Sequence, residues 1–230
     1  MNSTSSQAPF PWLAQYPEGV GATINPDQYS SLLDLFEHGF KSYADRPAFV
    51  NMGKTISYRD LEVQSRNFAA WLQSIGLKKG DRIAIQMPNL LQFPVVMFGA
   101  LRAGLIVVNT NPLYTPREME HQFQDSGAKA IVILANFADK LEEVLPKTQI
   151  KHVIVSKIGD MLGFKGAIVN FVVKNIKKMV PKYHLPGHHT LPQVLSKGKS
   201  LKYTRPQLNN QEIAFLQYTG GTTGPSKVLL

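Results

Sequence analysis

Apolar positions along the chain follow two alternating spacings, one typical of helices and one typical of strands. Helical spacing marks residues 32–43 and 58–75, and Gly76 is placed to end the second helix. Residues 48–58 predict two strands that turn at Met52-Gly53-Lys54. Apolar strands are predicted at 82–87, 105–110, 128–134 and 152–156, with a buried helix over 90–104 and another that opens at Pro116. This alternation predicts an α/β fold with a mostly parallel sheet flanked by helices.

Length and composition together limit the class of the protein. The 230 residues are 43% hydrophobic and 18% charged, which is enough apolar material for a sizeable core. Residues 1–30 predict an irregular N-terminal arm, and residues 31–230 predict one domain that carries a basic amphipathic insertion at about 157–185. Since the sequence has no Cys, it excludes disulfides, thiolate zinc sites, iron–sulfur clusters and a Cys nucleophile.

The first residues, MNSTSSQAPFPWLAQYP, lack the basic and apolar regions of a secretory signal or a transit peptide. No window offers about 18 consecutive apolar residues, the length that a membrane-spanning helix needs. We therefore expect a cytoplasmic protein.

The net charge of +9 is concentrated in one segment. Between Lys147 and Lys202 there are eleven lysines and one acid, Asp160, whereas the rest of the chain is nearly balanced. A basic segment in a balanced protein indicates a localised anionic partner. Nucleic acid is disfavoured, because the stretch has no Arg, no zinc spacing and no evident stacking platform.

Within this segment, residues 161–181 predict an amphipathic helix. Its apolar side carries Met161, Phe164, Ile168, Phe171, Val172, Ile176 and Met179, and its opposite side carries Lys174, Lys177 and Lys178. One interpretation is a helix lying in a lipid interface, which makes the protein peripheral on the inner face of the membrane. The alternative is a helix packed on the core with a solvated lysine face.

The most distinctive motif follows a predicted strand, Glu212 to Tyr218. It reads Thr219-Gly220-Gly221-Thr222-Thr223-Gly224-Pro225-Ser226-Lys227. Glycines let several N–H groups point at one place, hydroxyls add donors or a magnesium ligand, and the lysine adds positive charge. The motif fits neither the P-loop nor the dinucleotide fingerprint. It predicts a polyphosphate-binding loop.

The stretch YTGGTTGPSK resembles the phosphate-binding signature of the adenylate-forming superfamily, in the form found in bacterial long-chain fatty acid CoA ligases. Residues 57–89, 95–132 and 215–224 look like consecutive blocks of the same N-terminal portion of the large domain. The resemblance implies a reaction in two steps. A fatty acid carboxylate attacks the α-phosphate of ATP to give an acyl-adenylate and pyrophosphate, and the CoA thiol then displaces AMP.

Carried over by position, the resemblance implies that Tyr218 and residues Thr219 to Lys227 bind the ATP phosphates, with the Thr219 hydroxyl a candidate ligand of Mg²⁺. The resemblance also implies ATP, Mg²⁺, CoA and a long-chain fatty acid as ligands. The basic segment adds a membrane surface as a partner and argues against nucleic acid, and a homodimer stays open. The family continues after the lysine with Gly, whereas Val228-Leu229-Leu230 follow here. We therefore expect a truncated domain that is inactive alone and holds no catalytic residue.

Two other functions stay open: a non-catalytic membrane-associated ATP-binding module, and an adenylating enzyme for aryl or amino acids. The acids Asp34, Glu37, Glu118 and Glu120 are interpreted as solvated helix faces. His184, His188 and His189 are interpreted as loop surface rather than metal ligands.

Overall fold

Parallel strand pairing organises the protein in this computed structural model, which describes residues 10–221 and 224–229, with side chains described from 10 to 219. The α-helices of this part are α1 (Leu32–Ser42), α2 (Tyr58–Ser74), α3 (Gln92–Arg102), α4 (Pro116–Ser126), α5 (Ala138–Val144), α6 (Phe164–Phe171) and α7 (Leu191–Gly198). Its strands are β1 (Pro47–Asn51), β2 (Lys54–Ser57), β3 (Arg82–Gln86), β4 (Ile106–Asn109), β5 (Ala130–Leu134), β6 (His152–Ser156), β7 (His189–Thr190), β8 (Phe215–Gly221) and β9 (Gly224–Leu229).

The main sheet has the strand order β7-β6-β5-β3-β4-β8-β9, and β1 and β2 form a separate antiparallel hairpin. Every pair in the main sheet is parallel except β8 with β9. The prediction of a mostly parallel sheet flanked by helices is confirmed. No helix in the described residues combines the length and the apolar character needed to cross a membrane.

The core lies on both faces of the sheet, and β5 shows how. All five of its residues are buried. Ala130, Val132 and Leu134 face a cluster that includes α2, α3 and α7, whereas Ile131 and Ile133 face a cluster that includes α4 and α5. Because successive side chains of a strand point to opposite faces, a continuous apolar run marks a strand covered on both sides.

Several boundaries differ from the sequence predictions. Helices α5 and α7 were not predicted, although Thr190 and Gln193 form a capping box that opens α7. The strand expected from Glu212 begins only at Phe215, because Glu212 instead pairs with Lys79 and accepts a bond from Asn209. The long helix expected over 161–181 is wrong: α6 covers eight residues, and a π-helical turn, Val172–Ile176, continues it.

A return segment, residues 199–214, carries the chain from α7 to β8 without regular structure. Side-chain hydrogen bonds hold it to the helices. The Tyr203 hydroxyl donates to the carbonyl oxygen of Arg102 at 3.0 Å, and the amide of Gln73 exchanges two bonds with the backbone of Thr204 at 2.7 and 3.0 Å. The segment therefore fixes where β8 enters the sheet.

A buried cation lies under the return segment. Arg102 is 2% exposed, donates to the hydroxyl of Ser65 at 3.1 Å and pairs with Glu37 at 3.0 Å. Burial lowers the pKa of Arg102, and the charge of Glu37 opposes that shift. Glu37 and Asp34 also pair with Arg205 of the return segment. The interpretation of Asp34 and Glu37 as solvated faces is therefore wrong, since both belong to this ion-pair network.

Candidate phosphate-binding site and basic segment

The glycine-rich motif lies on a β-hairpin rather than on a loop. Strand β8 pairs with β4 through Phe215 and Leu216, and then pairs with β9, with Tyr218 opposite Val228, Thr219 opposite Lys227 and Gly221 opposite Gly224. The Cα atoms of Thr219 and Lys227 are therefore cross-strand partners. The expectation of a loop is wrong for residues 219–221 and 224–227, because these residues are extended and pair as two antiparallel strands.

The predicted phosphate-binding residues divide into three groups. Tyr218 and Thr219 have described side chains, and the first is buried while the second is exposed. Gly220, Gly221, Gly224, Pro225, Ser226 and Lys227 are placed by their backbone on β8 and β9. Thr222 and Thr223 lie outside the described residues. The roles of all ten residues in binding ATP stay predictions, as does Thr219 as a ligand of Mg²⁺.

Tyr218 anchors the base of the hairpin to α4. Its side chain is 6% exposed, and its hydroxyl donates to Oδ2 of Asp125 at 2.5 Å. Burial first, and then the hydrogen bond and charge of Asp125, hold the pKa of Tyr218 well above its ordinary value of 10.0. The phenol is therefore a neutral donor at physiological pH. No motif in the sequence connects these residues, which are 93 positions apart.

We predict that Tyr218→Phe lowers the free energy of unfolding by about 1.5 to 3 kcal/mol, the usual worth of a hydrogen bond to a charged group. Because folding raises the pKa of this phenol, the advantage of the wild type is fully present below pH 10 and is lost as the pH rises through the raised value. Urea unfolding of the wild type and the variant at pH 7 measures the advantage, and the same comparison at pH 11 measures its loss. The matched control is Tyr16→Phe, at an exposed ring. Equal effects of the two substitutions would contradict the anchoring role.

A polar recess of about 470 Å³ adjoins the hairpin. It lies where β3 and β4 end, beside Gln217 and Tyr218, and Asn109, Thr110 and Asn111 contribute its polar wall. Asn109 donates to Gln217 at 3.3 Å, whereas its own Oδ1 is buried and has no partner among the described residues. In parallel sheets, ligands bind at the carboxyl ends of the strands. The recess is therefore the space beside the hairpin that fits a polar ligand.

The described residues offer no ready metal centre, since no three His, Asp or Glu side chains among them converge as a group that could hold an ion. The carboxylate of Glu118 instead accepts hydrogen bonds from the backbone N–H and the hydroxyl of Thr115, which caps α4. The sequence context of His189 predicts a loop, but the residue lies in β7. Its ring packs edge-on against the ring of Trp71, with 5.1 Å between the ring centroids.

The basic segment exposes its apolar side. Five side chains of α6, its π-helical turn and the following loop form what we call the apolar patch: Phe164, Ile168, Phe171, Ile176 and Met179, all between 55% and 86% exposed. Lys174, Lys177 and Lys178 are exposed as well. The alternative in which this face packs on the core is therefore wrong for the patch. Met161, which was predicted on the same face, does pack against the core.

A glycine contact explains why the bulky face of α6 points outward. A Cβ atom at Gly166 would lie 1.9 Å from the carbonyl oxygen of Gly159, so the backbone of α6 touches the turn that precedes it. Asn170, one helical turn later, accepts from the N–H of Gly159 at 2.8 Å and donates to Asp160 at 3.4 Å. Burial raises the pKa of Asp160. The helix is thus held by its small and polar face.

Comparison with known proteins gives the same family over most of the chain. Residues 36–229 match the sequence profile of the family described as AMP-binding enzyme. The long-chain-fatty-acid–CoA ligase of Salmonella typhimurium is 59% identical over 218 residues, which are 94% of this chain and 39% of that protein. The ligase of the same name from Bacillus subtilis is 32% identical, over 96% of this chain and 40% of its own length.

Solved structures share the fold at low identity. An anthranilate CoA ligase in complex with anthranoyl-AMP superposes with a TM-score of 0.72 at 17% identity, covering 90% of this chain and 36% of that one. A long-chain-fatty-acid-CoA ligase from Archaeoglobus fulgidus gives 0.65 at 22% identity, covering 86% and 33%. The chain thus spans about two fifths of the curated relatives it matches. The profile match covers most of the residues and shows the family: the chain belongs to the AMP-binding enzymes.

Proposed function

We propose that this chain is the phosphate-binding part of an enzyme that activates a long-chain fatty acid with ATP and transfers the acyl group to CoA. The observation that supports this most is the 59% identity to long-chain-fatty-acid–CoA ligases over 94% of the chain. In the first step a carboxylate oxygen bonds to the α-phosphorus while the bond to pyrophosphate breaks. In the second the CoA sulfur bonds to the acyl carbon while the bond to AMP breaks.

In this proposal the hairpin binds the β- and γ-phosphates. Backbone N–H groups of a glycine-rich turn and a lysine opposite Thr219 supply donors and positive charge. Mg²⁺ would neutralise phosphate charge, with the exposed Thr219 hydroxyl as one donor of its ligand set. Tyr218, held by Asp125, sets the position of the hairpin relative to the recess that Asn109 and Gln217 line.

A binding experiment tests the hairpin directly. We expect Lys227→Ala to weaken the binding of ATP with Mg²⁺ to the chain by tenfold to a hundredfold, because a charged contact to phosphate is worth about 1.5 to 3 kcal/mol. Calorimetric titration measures the affinity, and circular dichroism checks that the variant stays folded. Lys151→Ala, an exposed lysine away from the hairpin, is the control. Unchanged ATP affinity in Lys227→Ala would refute the assigned role.

A second measurement separates the enzyme from its alternatives. Exchange of labelled pyrophosphate into ATP, assayed on the native protein purified from its own cells, should depend on added palmitate and not on benzoate or amino acids. Exchange that an aryl or amino acid drives would contradict the substrate class. ATP binding without any exchange would favour the non-catalytic module.

We also propose that the protein is cytoplasmic and peripheral on the inner face of the membrane, where a fatty acid substrate dissolves. Its support is the apolar patch with exposed lysines beside it, which is the arrangement of a helix that lies at the level of the headgroups. Sedimentation with vesicles tests it. The chain should pellet with phosphatidylglycerol vesicles and not with pure phosphatidylcholine, and pelleting with neither would contradict this proposal.

A further inference from the structure

A cavity of about 710 Å³ lies beside the apolar patch, at the carboxyl ends of β5 and β6. We call it the lysine cavity, because Lys157, Lys174 and Lys182 line it together with Asn136 and Tyr183. Among the described residues that line it, none carries a carboxylate. Asp160 is the acid nearest in sequence to Lys157. Its carboxylate accepts hydrogen bonds from the backbone N–H of Lys157, the hydroxyl of Ser156 and the amide of Asn170. The cavity therefore has an excess of positive charge.

One lining group has an unfilled hydrogen-bonding position. The amide nitrogen of Asn136 donates to the carbonyl oxygen of Met179 at 2.9 Å, which fixes the orientation of the amide. Its Oδ1 atom is buried and has no partner among the described residues. Because the Oδ1 atom is also shielded from the cavity, the amide of Asn136 is a fixed part of the wall and not a contact for a ligand. A cavity lined by three lysines and by no carboxylate among the described residues matches an anionic group such as a phosphate ester.

The cavity and the apolar patch share a wall. Phe171 lines the cavity and is also 60% exposed in the patch, and Lys174, three residues later in the π-helical turn, lines the cavity as well. A phospholipid has this order of groups, with acyl chains next to a phosphate and a polar headgroup beyond it. An acyl chain against the patch would place its phosphate at the mouth of the cavity.

We propose that the lysine cavity binds the phosphate ester of an anionic glycerophospholipid, with Lys157, Lys174 and Lys182 on the phosphate. This inference rests on the proposed membrane association and adds to it a defined headgroup site. A soluble phosphate ester offers the same chemistry, so the test must separate the two sources.

The probes are glycerophosphoglycerol, inorganic phosphate and phosphatidylglycerol vesicles, titrated against the full chain. The cavity variant is Lys157→Gln with Lys182→Gln. Its matched control, Lys151→Gln with Lys165→Gln, removes the same charge from the same basic segment at exposed lysines that do not line the cavity. We expect the cavity variant to bind glycerophosphoglycerol at least tenfold more weakly than the wild type, and the control to change by less than twofold.

The outcomes distinguish the two proposals. Equal losses in both variants would overturn the cavity site and leave diffuse attraction to the membrane. Failure of the wild type to bind glycerophosphoglycerol at millimolar concentration would also overturn it. Glycerophosphoglycerol bound without vesicle binding would refute the membrane proposal and assign the site to a soluble phosphate ester. Inorganic phosphate that binds as tightly as glycerophosphoglycerol would overturn a site for a headgroup ester and leave a site for phosphate alone.

Discussion

Replacing Phe164, Ile168 and Ile176 together by serine is expected to weaken binding to anionic vesicles about a thousandfold without lowering stability. These side chains are 86%, 55% and 62% exposed, so folding gains little from them. Transfer of each to an apolar environment is worth about 1.5 to 3 kcal/mol when complete, and the three together supply about 4 kcal/mol when partly immersed. None of the three lines the lysine cavity, which keeps this variant independent of the headgroup site.

Vesicle sedimentation measures the affinity, and urea unfolding checks the stability of the triple variant. The control replaces Ile24, Val50 and Leu113 by serine, because these are equally exposed apolar side chains outside the basic segment. It should bind vesicles like the wild type. Vesicle binding that survives in the first triple variant would show that the patch does not enter the lipid.

Glu37→Gln is expected to cost about 2 to 3 kcal/mol of unfolding free energy. It leaves the guanidinium of Arg102 buried with Ser65 as its remaining side-chain partner, and a buried charge that loses its counterion is strongly destabilising. The loss is smaller than for a fully buried pair, since the side chain of Glu37 is 29% exposed. Arg205 keeps its contact with Asp34, so the effect reports mainly on Arg102.

Urea unfolding measures this loss, and the m-value should be the same in the variant and in the wild type. The control is Asp45→Asn, which breaks the pair between Arg59 and Asp45 at the surface, where exposed ion pairs contribute little. A change in Glu37→Gln no greater than that in Asp45→Asn would refute the structural weight given to Arg102. We also expect faster hydrogen exchange in the return segment of Glu37→Gln, since Arg205 and Tyr203 attach that segment to the same network.

The sheet and most of its helices could be predicted because their signals are local. The apolar run of β5 and the spacing of α2 each need only the residues of one element. The signature of the hairpin is also local, although its glycines suggested a loop where the backbone forms a ladder. Extended pairing there depends on a partner strand that follows the turn, and the residue types of the motif do not reveal it.

What could not be predicted depends on contacts between distant positions. The bond between Tyr218 and Asp125 joins residues 93 positions apart, and the pair of Arg102 with Glu37 joins residues 65 apart. The periodicity of the basic segment identifies its apolar side, but not the face through which α6 packs against the preceding turn. That choice depends on Gly159 meeting Gly166 and on Asn170, which a hydrophobic pattern does not register.

The contact between Gly159 and Gly166 also restricts how this segment can evolve. Any side chain at either position would collide with the opposite backbone, so a sequence that gains one must seat α6 differently. Its large apolar residues would then turn with it, toward the protein or into water. Two small positions, neither of which belongs to the apolar patch, would thus decide in each lineage whether the exposed helix is kept, and they should change together when relatives diverge.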